Sequence, residues 1–265
     1  MQIQLLGIPT DVNSSYRRGS AGAPAAIRRA WQRYAEFGNA ATESGLEIGR
    51  DLQLLDLGDV RIEEADSDHA VITAAAARAA GSGPLLSLGG DHYVTFPLLE
   101  GLAQVHGPLN LLHFDAHPDL YHDFEGNPRS HASPFARIME RGLAKRLVQV
   151  GVRTWNTHNR QQAARFGVEV VSWDDFTPAG VPIPDGPLYV TIDLDALDPA
   201  FAPGVSHPEP GGLSVRDIVA VLSRIRGKVV GADVVELNPA NDVGDATAIV
   251  AVKLMKELLG AMGRR

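Results

Sequence analysis

The chain has 265 residues, with 24 Lys and Arg against 32 Asp and Glu, a formal net charge of −8, nine His and no Cys. Without cysteine it forms no disulfide, iron–sulfur cluster or thiolate zinc site, and its acidic balance argues against a nucleic-acid partner. Met1 to Pro9 lacks the basic region and apolar run of a signal peptide, and no stretch of ~18 apolar residues is free of charge, so no membrane span is expected. The expectation is a soluble, cytoplasmic protein in which any metal is held by His and carboxylate.

Short apolar runs alternate with longer amphipathic stretches. The pattern predicts a strand at Ile3–Ile8, a helix at Pro24–Phe37, a strand at Gln53–Leu57 and a helix at Glu64–Ala80. It continues with a strand at Pro84–Leu88, a helix at Thr95–Val105, a strand at Leu109–Phe114 and a helix at Pro134–Arg141. A strand at Arg146–Val150, a helix at Asn159–Phe166 and a strand at Val168–Val171 follow. The last elements are a strand at Leu188–Ile192, a helix at Ser214–Arg224, a strand at Lys228–Val235 and a helix at Asp245–Leu259. Pro24 suits a first helical turn, and Ser214 with Asp217 three residues on reads as a cap. Unbroken alternation predicts one α/β domain over residues 1–265 with a mainly parallel sheet. The proline-rich segment 177–187 reads as a surface loop.

Open parallel sheets bind ligands at the carboxyl ends of their strands. Four predicted strands run there into polar residues: Gly89-Gly-Asp-His92, His113-Phe-Asp-Ala-His-Pro-Asp119, Asp193-Leu-Asp195 and Glu236-Leu-Asn-Pro239. Asp115, His117 and Asp119 lie at i, i+2 and i+4, so in extended chain all three face one point, and Asp193 and Asp195 share that spacing. Four crowded carboxylates repel one another, and two divalent cations balance them charge for charge. An oxygen-rich set with two imidazoles, His92 and His117, suits Mn²⁺. Two such ions about 3.5–4 Å apart lower the pKa of a shared water towards neutrality.

Other polar residues read differently. Asp91 should point away from His92, towards a supporting contact or solvent. His113 reads as a buried, hydrogen-bonded side chain, Asp198 as a turn residue, and His69 and His106 as surface residues. His122 and His158 suggest no role beyond a surface loop. His131, in the polar loop after Asp119, is placed to carry a proton. Glu236 is the acid left over once the cations are balanced, and it suits a planar guanidinium.

At these residues the chain resembles the ureohydrolase family of arginases, agmatinases, guanidinobutyrases and formiminoglutamases. The matching pieces are Gly-Gly-Asp-His92, Asp115-Ala-His117-Pro-Asp119, Ser130-His131-Ala-Ser, Asp193-Leu-Asp195-Ala-Leu-Asp-Pro199 and Asp233-Val-Val-Glu236-Leu-Asn-Pro239. Phe124-Glu-Gly-Asn127, Phe135–Glu140 and Pro199–Leu213 are most similar to plant-type arginases.

The resemblance implies a three-layer α/β/α fold and two Mn²⁺ per chain. One ion would be bound by His92, Asp115, Asp119 and Asp193, the other by His117, Asp115, Asp193 and Asp195. It implies hydrolysis of a guanidino compound to urea and an amine, with Glu236 holding the guanidinium, His131 relaying a proton and Asp119 counted among the catalytic groups. It also implies a homotrimer or homohexamer. L-Arginine is the expected substrate, with agmatine, a guanidino acid or formiminoglutamate as alternatives; a non-catalytic metal-binding protein is the alternative of another class.

Three features depart from the family pattern. The animal-type loop that grips an amino acid's carboxylate is not in its usual form, which leaves Asn127 and Ser130 for that role. No acid follows Gly-Val-Arg153, where one would hold an α-amino group. His207 stands where many relatives carry a small hydroxylated residue, and it is expected to border the substrate.

Overall fold

The computed structural model describes residues 1–264. The strands are β1 (Gln2–Ile8), β2 (Gln53–Asp59), β3 (Leu85–Gly89), β4 (Leu109–Phe114), β5 (Ala144–Val150), β6 (Glu169–Val171), β7 (Leu188–Asp193) and β8 (Val229–Val235). The helices are α1 (Ala23–Glu36), α2 (Asp68–Ala80), α3 (Thr95–His106), α4 (Pro134–Glu140), α5 (Thr157–Phe166), α6 (Val215–Ser223) and α7 (Ala246–Gly263). Every predicted strand and helix is present, and the boundaries move for local reasons. Glu64 and Asp245 both have positive φ, which ends the regular backbone and delays the starts of α2 and α7. Asn156 accepts the Asn159 N–H at 2.8 Å, so α5 starts earlier than expected, behind an unforeseen cap. At α6 the Ser214–Asp217 capping box forms as read.

All eight strands are parallel, in the order β2-β1-β3-β8-β7-β4-β5-β6. Successive side chains of a strand point to opposite faces, so the strands inside the sheet feed two cores, while β2 at its edge is largely exposed. On one face Ile3, Leu5, Leu112, Phe114 and Val190 pack with α1, α6 and α7. On the other Leu6, Leu85, Leu111 and Tyr189 pack with α2, α3 and α4. The result is the expected three-layer α/β/α arrangement. No helix among the described residues is long and apolar enough to cross a membrane.

The chain passes from β3 over to β4 and later returns to fill the gap with β7 and β8. The carboxyl ends of β3, β8, β7 and β4 are therefore consecutive neighbours at the centre of the sheet, where parallel α/β sheets form ligand crevices. All four polar strand ends noted in the sequence belong to these strands.

Candidate metal centre

Strands β4 and β7 pair with Phe114 opposite Ile192, which sets Asp115 beside Asp193. Each then makes the same turn. Asp115 Oδ1 accepts the His117 N–H at 2.6 Å, and Asp193 Oδ1 accepts the Asp195 N–H at 2.8 Å. The Asp-x-His and Asp-x-Asp spacings thus work through side-chain-closed turns rather than extended chain, because the strands end here. Closing the turn on Oδ1 leaves the Oδ2 of both aspartates facing the same imidazole. His92 Nδ1 lies 3.1 Å from Asp115 Oδ2, 3.1 Å from Asp193 Oδ2 and 3.2 Å from Asp119 Oδ2. Asp119 reaches this point from a left-handed backbone conformation, φ 48°. Alongside, His117 Nδ1 lies 3.1 Å from Asp195 Oδ2 and 3.4 Å from Asp115 Oδ1.

His92 arrives on a 3₁₀ turn, His92–Val94, closed by Asp91 Oδ1 accepting the Tyr93 N–H. Gly90 makes that path possible, since a Cβ there would run into the Thr10 carbonyl. Asp91 is fully buried and accepts the Asn13 N–H at 2.9 Å. Of the two expected environments it has the supporting contact and not solvent. Burial and the nearby Glu236 push its carboxyl up to about 7.

The donor set fits a divalent pair. Asp115, Asp119, Asp193 and Asp195 are all buried. His92 Nε2 lies 2.9 Å from Thr191 Oγ1; we assign the proton to that nitrogen, which leaves a lone pair on Nδ1. Nδ1 is buried without a hydrogen-bond partner, and three carboxylate oxygens surround it. A cation is the species that satisfies a lone pair and three carboxylates at one point. Burial, with the charges of Asp195 and Asp115, drives Asp193 well above the usual carboxylate range, and burial with Asp115 lifts Asp119 to about 6. Burial alone would lower His117, yet the Asp195 charge and bonds to Asp115 and Asp195 carry it to about 12. The cluster thus holds a cation or protons.

His113 is buried as read. Its Nε2 donates to Asp115 Oδ2 at 2.8 Å, Gln149 donates to its Nδ1 at 3.0 Å, and it stacks on Phe135. Asp198 accepts three backbone N–H groups of its loop, as a turn residue should. His69 was expected on the surface. It is instead wedged between α2 and α3, with Nδ1 2.7 Å from Tyr93 Oη and Nε2 bonded to Glu100, because the helix face it occupies is the one that packs. His106 is half-buried at the end of α3.

Glu236 follows β8 in a left-handed conformation, φ 66°, with its N–H donating to the Gly90 carbonyl. Its Oε1 accepts the His92 N–H at 2.9 Å and lies 3.1 Å from His131 Nδ1, while Oε2 is buried without a partner. His131 Nε2 lies 2.9 Å from Ser15 Oγ. Burial would lower His131, but the Glu236 bond and the charges of Glu236, Asp119 and Asp91 outweigh it and raise the imidazole to about 9. Burial, with the His131 charge, lowers His207 to about 4.

Above the cluster lies a cavity of about 310 Å³. It is lined by His117, Asp119, Asp193, Asp195, His131 and His207 from the cluster, and by Tyr121, Phe124, Trp155 and Asn156. Asn127 and Ser130 do not line it. Asn127 faces a neighbouring cleft with Asn13 and Arg129, and Ser130 is buried beneath its loop, accepting the Ala132 N–H. Sequence reasoning assigned no role to Ser15, Thr191 or Trp155. Trp155 follows β5, beside β4 in the sheet, so the strand-end rule could have found it. Thr191 lies inside an apolar strand and gives no such signal.

The sequence matches the arginase family model over residues 1–260. It is 45% identical over 278 residues to arginase 1, mitochondrial, of Arabidopsis thaliana, covering 98% of this chain and 81% of that protein. It is 35% identical to the guanidinopropionase of Pseudomonas aeruginosa, over 98% of this chain and 86% of that one. The solved arginase from Medicago truncatula superposes with a TM-score of 0.87 at 42% identity, covering 98% of this chain and 87% of that chain.

Proposed function

The chain belongs to the arginase family, and we propose that it is a binuclear manganese hydrolase that releases urea from L-arginine, leaving ornithine. The observation that carries this reading is the cluster at and beneath the base of the cavity, where four buried carboxylates and two imidazoles meet beside Glu236 and its unpartnered oxygen. His92, Asp115, Asp119 and Asp193 would hold one Mn²⁺, and His117, Asp115, Asp193 and Asp195 the other. When bound, such a pair would supply Lewis acidity and bring the pKa of a coordinated water towards neutrality.

The chain's own residues do the rest. Glu236 Oε2 accepts the guanidinium N–H groups and orients the planar group over the floor. His131, kept protonated by Glu236, gives its proton to the departing amine nitrogen. Tyr121, Phe124 and Trp155 cover the aliphatic arm and exclude water. Asn127 and Ser130 would reach the amino-acid end only through a rearrangement of their loop, and His207, which lines the cavity, would border the substrate.

A second reading is a guanidino amine or acid without an α-amino group, such as agmatine or 4-guanidinobutyrate. It is favoured by the segment Thr154-Trp-Asn-Thr-His-Asn159, which offers no carboxylate beside the cavity. Urea release from arginine, agmatine and 4-guanidinobutyrate, with formamide release from formiminoglutamate alongside, tests the choice. Arginine should be the fastest; release of formamide alone would move the chain to formiminoglutamase chemistry, and no release from any of them would favour a non-catalytic protein. The family resemblance also supports a homotrimer or homohexamer in the cytoplasm, each chain one domain over residues 1–265, which sedimentation of the manganese-loaded protein would check.

A further inference from the structure

Beside the groups assigned to the metal pair lies a second ligand-capable set that the proposed reaction does not use as a metal site. His131, His207 and Glu236 each present one ligand atom, and these atoms lie within 4.8 Å of one another. The His131 and His207 rings are 4.7 Å apart, and Tyr16 flanks His207 from outside at 5.7 Å. Glu236 is buried and its Oε2 has no hydrogen-bond partner.

We propose that His131, His207 and Glu236 form a third, inhibitory cation site that takes Zn²⁺ and closes the enzyme by removing Glu236 and His131 from the guanidinium. The proposal rests on the functional reading above. Two imidazoles and one carboxylate, with water in the fourth position, are a set in which Zn²⁺ is four-coordinate. The trio is nitrogen-rich and the pair is oxygen-rich. Imidazole suits Zn²⁺ and carboxylate suits Mn²⁺, so ligand type steers zinc to the trio and manganese to the oxygen-rich pair. The four carboxylates of the pair balance two divalent ions, so the trio faces a neutral cluster and not a repelling one. His207 decides the matter: without it only His131 and Glu236 remain, already bonded to each other.

The test starts from protein loaded with two Mn²⁺ per chain. It is dialysed against Zn²⁺, bound manganese and zinc are counted by elemental analysis, and urea release is followed in parallel. Manganese should stay at two while one zinc is added, urea release should fall as that equivalent fills, and excess substrate should relieve the inhibition. His207→Ser should keep two Mn²⁺ and bind the added zinc at least about a hundredfold more weakly, since losing a direct ligand costs no less than losing an outer partner of one. His207→Gln provides a bulkier non-ligating variant, with circular dichroism as the check on folding. Zinc replacing manganese one for one, with the total staying at two, overturns the proposal, as does undiminished zinc affinity in the folded His207 variants. A chain that never holds the first two ions overturns the metal-pair reading and this site with it, a result distinct from the missing third equivalent.

Discussion

The two imidazoles of the candidate metal centre, His92 and His117, share a carboxylate and differ in almost everything else. His92 is fully enclosed, with its side chain 0% exposed. Its Nε2 is anchored by Thr191, its backbone N–H is held by Glu236, and its ring meets Phe135 edge-on at 5.2 Å. His117 is 30% exposed at the floor of the cavity, and its ring faces His207 at 6.3 Å. One end of the cluster is thus built as core and the other as cavity wall. The chemistry needs both: a rigid support on one side and room for substrate on the other.

The largest effect should come from a carboxylate that faces both imidazoles. Asp115 turns Oδ2 towards His92 and Oδ1 towards His117. Asp115→Ala should lose both metals and reduce urea release to background, whereas Asp195→Ala should retain one metal; elemental analysis after manganese loading separates the two. Equal retention in both variants would break the comparison.

The imidazoles themselves should then behave unequally. In metal-free protein His92→Asn should lower the unfolding free energy by about 2–3 kcal/mol, because a packed ring and a buried hydrogen bond are lost, while His117→Asn should cost under about 1 kcal/mol. Urea denaturation of the two variants reads this difference, and similar losses would mean the two sides are equally structural.

Removing only the anchor is gentler. Thr191→Val keeps the shape of the strand but frees the His92 ring, and should weaken one manganese equivalent about ten- to a hundredfold while leaving the other unchanged. Calorimetric titration with Mn²⁺ would resolve the two steps; a uniform loss at both would point to damage of the sheet.

The smallest effect concerns pH on the cavity side. His131 is raised to about 9 in the folded chain against an ordinary 6.5, chiefly by Glu236 acting against burial. Its contribution to stability is therefore fully present below about 6.5 and lost as pH rises through about 9. The gap in denaturation midpoint between the parent and His131→Asn, measured without metal, should narrow between pH 6.5 and 9.5. A constant gap would show that the His131–Glu236 pair is not what raises the imidazole.

The buried strands were plain in the sequence because parallel strands covered on both faces are apolar runs with little ambiguity. Their ends were plain because Asp, His and Gly follow them directly. The reason for convergence is different from the one the spacing suggests: in place of extended chain, the structure uses Asp side chains to close turns at Asp115 and Asp193. Helix starts at Asp68 and Ala246 were missed because a positive φ at Glu64 or Asp245 leaves no mark in composition. Asn127 and Ser130 looked like substrate contacts by motif, yet the tight turn at Glu125–Gly126 folds their loop towards another cleft.

Local chemistry alone therefore settled which residues could bind cations, since carboxylate and imidazole at strand ends are readable in one dimension. It also settled the α/β class with a mainly parallel sheet, through the alternation of strand and helix. The partnership was settled only in three dimensions. The crossover that inserts β7 and β8 between β3 and β4 brings residues about a hundred positions apart to one point. That packing places Thr191 behind His92, leaves one oxygen of Glu236 unpartnered, and sets His207 against His131. These contacts depend on strand order, a property of the whole chain that no local spacing encodes.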